Sequence, residues 1–200
     1  MKYIFDFDDV LFNNTKQFKE HMFRVITMAG VPESEAKKYY LEVREKEFSL
    51  KNFIATLFSR YEVDALPDVV YETIMKECPN FLNAELVEAV RRIGRENCYI
   101  VTNGNSEFQK DKIKYSGIGH LFHEDKISIV PESKVRAIVR ICAENNGEEV
   151  VFIDDKRKFI DERELKGIPN LTTIHYRAED FGRLMKEADN PTAVELKRRK

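Results

Sequence analysis

Residues 3–10 read YIFDFDDV, three aspartates (Asp6, Asp8 and Asp9) within four positions at the end of an apolar run. Large apolar residues of this kind are buried, and an unpaired buried carboxylate is costly. The acids must therefore sit at a solvated strand end or face a cation. In a strand, residues two apart point to the same face, so Asp6 and Asp8 are predicted to project together from the end of a first strand, Tyr3 to Phe7.

Outward from this stretch, four further apolar runs have the length and bounds of buried strands: Cys98 to Val101, Ile127 to Val130, Val150 to Ile153 and Leu171 to Ile174. Between the later runs the apolar period becomes helical. Leu86, Val87, Val90 and Ile93 follow Asn83 as a candidate N-cap and stop at Gly94; Val135, Ile138, Val139 and Cys142 follow Ser133. Strands alternating with helices predict an α/β fold with a Rossmann-like, doubly wound parallel sheet. From Thr15 to Cys78 no strand is evident. Phe18, Met22, Val25, Ile26 and Ala29 form one helical stripe, and Leu50, Phe53, Ile54, Leu57, Phe58 and Tyr61 another, with further helices expected at Ala36 to Glu47 and Pro67 to Glu77. The predicted organisation is a core of residues 1–14 and 80–200 with an all-helical domain, 15–79, inserted after the first strand.

A second acidic pair, Asp154 and Asp155, closes VVFIDD at another strand end. Ligands of open α/β sheets bind beyond the carboxyl ends of the strands. At ~5 Å and an effective dielectric near 20, each like-charged pair there costs roughly 3 kcal/mol. Three or four carboxylates in one pocket require a cation, and all-oxygen ligands suit Mg²⁺ better than zinc. CYIVTNGN places Thr102 and Asn103 after the second strand, where a hydroxyl and backbone N–H groups bind an anion. SIVPESK places Lys134 at a helix N-terminus, against the dipole, as expected where an anion sits. Cation, ammonium, hydroxyl and backbone donors together suit a phosphate.

Composition narrows the classes. A formal net charge of −2 with 34% charged residues gives no reason to expect a nucleic-acid partner, and the basic LKRRK at residues 196–200 reads as a solvated tail. The aspartates interrupt any signal-like apolar segment and no stretch approaches membrane-spanning length, so a soluble protein without a membrane partner is expected. Cys78, Cys98 and Cys142 are odd in number and widely spaced, without zinc-ligand spacing. They read as small core residues in a reducing cytoplasm. His120 and His123 have no evident acidic or thiol partner and, with His21 and His175, are expected at the surface or in packing roles.

DFDDV resembles the first motif, DxDx[TV], of the haloacid-dehalogenase (HAD) superfamily of phosphohydrolases. TNGNSEFQKDKIKYSGIGHLF is similar to the second-motif region, with its Gln, Lys and Gly spacing, and FIDDKRKFIDERELKGI resembles the subgroup with a paired-acid fourth motif. That subgroup carries a helical cap after motif one. The resemblance implies a phosphoric monoester hydrolase in which Asp6 attacks phosphorus and Asp8 protonates the leaving alcohol, then activates water. Thr102, Asn103 and Lys134 would hold the phosphoryl oxygens. Mg²⁺ would be held by the Asp6 carboxylate, the Asp8 backbone carbonyl and motif four, with Asp155 as the direct ligand and Asp154 behind it. The second aspartate favours phosphate esters over halides, with a phosphomutase or a binding module without turnover as rivals. Three residues depart from the pattern. Asp9 stands where relatives often have Gly, Phe159 where they have Asp or Asn, and Lys134 lacks a following proline, which makes Lys126 an alternative cation. In the insertion, Arg44, Lys46, Lys51 and Arg60 are candidates for a substrate's second anionic group.

Overall fold

The computed structural model describes residues 1–44 and 47–177. Five parallel strands form one sheet in the order β3-β2-β1-β4-β5: β1 Lys2–Phe5, β2 Cys98–Asn103, β3 Ile127–Val130, β4 Val150–Asp154 and β5 Leu171–His175. This is the predicted α/β architecture. The chain moves from β1 outward to β2 and β3, then returns to the other side of β1 for β4. The crevice between the ends of β1 and β4 is therefore the topological switch point, where such sheets bind ligands.

Strand alternation divides the core. Phe5, Ile100, Val151 and Ile153 face one side, with α5 (Ala84–Ile93) and α6 (Ser106–Ser116). Ile4, Tyr99, Val101, Val150 and Phe152 face the other, against Ala137, Ile138, Ile141 and Cys142 of α7 (Val135–Glu144). Each such fully buried side chain contributes roughly 1.5–3 kcal/mol. The helix limits follow local chemistry: Asn83 accepts from the Leu86 N–H at 3.3 Å to cap α5, and Gly94 ends it at a φ of 87°.

Among the described residues, four α-helices lie between β1 and α5: α1 Lys19–Met28, α2 Glu33–Val43, α3 Leu50–Arg60 and α4 Pro67–Lys76. The α2 helix begins at Glu33, three residues before the predicted Ala36, and ends at Val43 instead of Glu47. Arg44 caps it, and Lys46 lies outside the described residues, as does the basic 196–200 run. Tyr39 stacks on Phe53 at 5.5 Å, and Tyr40 meets Phe23 at 5.5 Å and Phe48 at 5.4 Å edge-on. This apolar cluster is continuous with the sheet through Phe12, Phe18, Phe81 and Phe108. Tyr71 donates to Asp111 on α6 at 2.6 Å, and Lys51 pairs with Glu107 on α6 at 2.6 Å. This Lys51–Glu107 pair is exposed and joins α3 to α6, while the Arg60 guanidinium lies over Tyr39 at 4.2 Å.

All three cysteines are free and buried, and burial pushes the Cys78 and Cys98 thiols up to about 12. No helix among the described residues is long and apolar enough to cross a membrane.

Candidate active site

The first strand is shorter than its apolar run predicts. It ends at Phe5, so Asp6 and Asp8 are not alternating residues of one strand. Asp6 still extends the ladder, its N–H donating to the Ile153 carbonyl at 2.9 Å, whereas Asp8 lies in the loop beyond. The two side chains consequently diverge.

Asp6 is 2% exposed and Asp154 0%. Between them stands Lys134, 1% exposed, its ammonium 2.8 Å from Asp6 Oδ1 and 2.6 Å from Asp154 Oδ2. The anion expected beside this helix-start lysine is thus supplied first by the protein's own carboxylates. Phe159 is buried with its ring centre 4.5 Å from that ammonium, so an aromatic face covers Lys134. Lys126 does not substitute for Lys134: it precedes β3, where it donates to the Glu96 carbonyl at 2.6 Å, at the opposite end of the sheet.

Asp6, Asp154 and Asp155 each offer a carboxylate oxygen within 4.8 Å of the others. Asp154 has both oxygens engaged, Oδ2 by Lys134 and Oδ1 by the Lys156 N–H at 2.8 Å. Asp155 differs, its Oδ1 being buried without a hydrogen-bond partner. Burial pushes Asp6 up to about 7, opposed by Lys134 and reinforced by Asp154 and Asp8. Burial also pushes Asp155 up to about 6, opposed by Lys156 and reinforced by Asp154 and Asp9. Burial pulls the Lys156 ammonium down, but Asp155, Asp6, Asp8 and Asp154 outweigh it and leave the group above its ordinary value. Crowded carboxylates with one buried oxygen unpartnered fit a hard divalent cation.

Thr102 is the penultimate residue of β2, beside β1, 1% exposed, its hydroxyl buried without a partner. Asn103 ends the strand, and its carbonyl accepts from Gln109 Nε2 at 3.1 Å. Asp8 turns to α6 instead of the acidic cluster: Gln109 Nε2 is 2.8 Å from Oδ2, and Lys112 Nζ 2.5 Å from Oδ1. Both partners are buried polar residues. Their signal in the sequence is that Gln109 and Lys112 fall on the same helical stripe as Phe108 and Ile113, where apolar residues are expected.

Asp9 adopts a φ of 60°, in the left-handed region that glycine enters freely and Asp tolerates. The Asp9 carboxylate accepts from the Thr15 N–H at 2.7 Å and from the Thr15 hydroxyl. A cavity of about 510 Å³ opens beside Asp155, lined by Asp9, Asn13, Lys16, Asn83 and Tyr176 among others. His175 packs against the segment after β4, its Nε2 2.8 Å from the Asp155 carbonyl. His120 and His123 share no ligand position: His120 Nδ1 meets the Gly117 carbonyl at 2.6 Å, and His123 Nε2 meets Glu96 at 2.5 Å.

A family model described as haloacid dehalogenase-like hydrolase matches residues 3–158. The chain belongs to the haloacid dehalogenase-like hydrolases. Solved structures of similar fold include a haloacid dehalogenase-like hydrolase from Burkholderia xenovorans, at 17% identity and a TM-score of 0.65, covering 86% of this chain and 79% of that one. A hydrolase from Streptococcus pneumoniae shares 12% identity at a TM-score of 0.54, covering 92% and 97%. A HAD family enzyme from Bacteroides thetaiotaomicron, solved as a magnesium complex, shares 14% identity at a TM-score of 0.53, covering 92% and 97%. Comparison with curated protein sequences finds no match. As a HAD hydrolase, the protein carries its acidic cluster and buried lysine at the switch point of its sheet.

Proposed function

We propose that this HAD hydrolase is a Mg²⁺-dependent phosphatase of small phosphorylated metabolites. The observation that carries the reading is the convergence of Asp6, Asp154, Asp155 and buried Lys134 on one strand-end crevice. In this reading Asp6 attacks phosphorus: its carboxylate oxygen forms the new P–O bond as the bond to the alcohol breaks, and Asp8 delivers the proton to the departing oxygen. Water then attacks the aspartyl-phosphate, giving its proton to Asp8 and restoring the Asp6 carboxylate. Both contacts to Asp6 from Lys134 and the Phe7 N–H fall on Oδ1, which leaves Oδ2 outside them for the attack.

Asp6, Asp155 and the Asp8 backbone carbonyl would hold Mg²⁺, with Asp154 supporting them and orienting Lys134. The bound ion supplies charge neutralisation for the phosphoryl group. Thr102, the Asn103 backbone and Lys134 receive the phosphoryl oxygens; the unpartnered Thr102 hydroxyl supports that assignment. The cavity beside Asp155 offers Asn13, Lys16 and Asn83 as hydrogen-bond partners for a small hydroxylated leaving group. Residues 15–79 act as the cap, closing over the crevice during phosphoryl transfer and admitting water afterwards. The three free, buried cysteines suit a reducing cytoplasm.

The test is phosphate release from an aryl phosphate and a panel of phosphorylated metabolites, with and without Mg²⁺, for the wild type and Asp6→Asn. Metal-dependent release, lost in Asp6→Asn, is expected. Little net release with dependence on a bisphosphate activator would replace hydrolysis by phosphomutase chemistry. No turnover by folded, Mg²⁺-binding protein would overturn the enzymatic reading in favour of a binding module.

A further inference from the structure

We infer that Lys112 and Gln109 of α6 are positioning residues for Asp8, an inference that rests on the phosphatase reading above. Lys112 is 1% exposed and Gln109 4%, so both are as buried as core residues. The Lys112 ammonium is 2.5 Å from Asp8 Oδ1 and 3.3 Å from Asn14 Oδ1. It lies 5.7, 5.6 and 4.8 Å from the ring centres of Phe7, Phe12 and Phe108. Among the described residues, Asp8 is the carboxylate that pairs with it.

A methionine would fill this aromatic box without the desolvation that a buried ammonium costs. The lysine there is intelligible through what it does for Asp8. Gln109, one turn earlier, donates to the other carboxylate oxygen at 2.8 Å and to the Asn103 carbonyl at 3.1 Å. One donor on each oxygen fixes the carboxylate plane as well as its place; a single contact would leave rotation about the Cβ–Cγ bond. The Asn103 carbonyl ties this clamp to the end of β2, the segment assigned to the phosphoryl oxygens. The proton donor is thereby held in register with the phosphoryl site before substrate arrives, the condition for efficient proton transfer.

Residues acting through Asp8 must matter in proportion to the leaving group's need for a proton. The experiment measures kcat/KM, which reports departure of the leaving group, for a series running from activated nitrophenyl to alkyl phosphates. It compares the wild type, Lys112→Met, Gln109→Met, Asp8→Asn and the double variant Asp8→Asn/Lys112→Met, with melting temperatures recorded. General acid catalysis contributes typically 10²–10⁴-fold, so Lys112→Met is expected to lose about 10–100-fold on alkyl esters and under about threefold on the most activated aryl ester. In the Asp8→Asn background it should cost nothing further. An equal loss across all leaving groups, or a further loss in the double variant, would overturn the inference by showing a packing role. If Lys112→Met does not fold, the leaving-group dependence of Gln109→Met decides in the same way. A wild type that releases phosphate while the variants show no such dependence refutes only the inference; a wild type that releases none refutes the phosphatase reading itself.

Discussion

Replacing Lys134 by methionine isolates the energetic problem at the centre of this site. The substitution keeps side-chain length and removes the ammonium that stands 2.8 Å from Asp6 and 2.6 Å from Asp154. At these separations and an effective dielectric near 20, each attraction is about 6 kcal/mol before desolvation is subtracted. Removing one partner of a buried ionic group leaves a net loss of about 3–5 kcal/mol. For a chain of this length that lowers Tm by about 6–20 °C. The pH dependence has a definite sign. Burial holds Asp6 at about 7, above its ordinary 3.8, so the folded protein binds more protons than the unfolded chain between these values. Asp6 therefore costs stability progressively as pH rises through that window. Without Lys134 the carboxylate is driven further up, so the deficit of Lys134→Met is largest at about pH 8 and shrinks by about pH 5, where Asp6 takes up a proton. Urea unfolding followed by circular dichroism, in chelator at both pH values, measures it. A variant within about 1 kcal/mol of the wild type at about pH 8 would refute the view that this lysine neutralises the buried acids.

Two further outcomes follow from the same geometry. Mg²⁺ should raise Tm more at about pH 8 than at about pH 5, because Asp6 at about 7 and Asp155 at about 6 must release protons before they bind the ion; an equal rise at both, read by differential scanning fluorimetry, contradicts the cation site. Thr102→Val removes a buried hydroxyl that has no partner, so stability should change by less than about 1 kcal/mol. Its affinity for inorganic phosphate with Mg²⁺, measured by calorimetry, should fall about tenfold, roughly 1.4 kcal/mol. A large stability loss would instead give that hydroxyl a structural task.

The strands were readable because each is a short apolar run that must be buried on both faces, and the parallel sheet follows from their alternation with helices. β1 ends two residues before its apolar run does, for a physical reason. Phe7 continues the apolar run and is buried at 0% exposure, but it does so from the loop, packed on Phe12 at 5.1 Å. Hydrophobicity reports burial, and here burial outlasts strand geometry by two residues. The same ambiguity hides the continuity between the inserted helices and the sheet: amphipathic stripes identify α1 and α3, but nothing in their spacing says that Phe12, Phe18 and Phe81 join them to the core.

The candidate site divides along the same line. Asp6, Asp154, Asp155, Thr102 and Lys134 were readable because each stands at a strand end or helix start, where the change of pattern marks it. Gln109 and Lys112 stand inside a helix, where a polar residue ordinarily means solvent. Their burial follows from a neighbour far away in sequence: Asp8 leaves the strand early, turns toward α6, and presents a carboxylate that the apolar stripe of that helix must accommodate. Helix period places both residues on the buried face with Phe108 and Ile113, but only the loop conformation after β1 supplies the carboxylate that a polar pair on that face requires. Asp9 belongs to the same loop. Its left-handed backbone, fastened by Thr15, makes the turn that brings Asp8 to Lys112, so the residue that departs most visibly from the family pattern supports the placement of the proposed acid instead of opposing it.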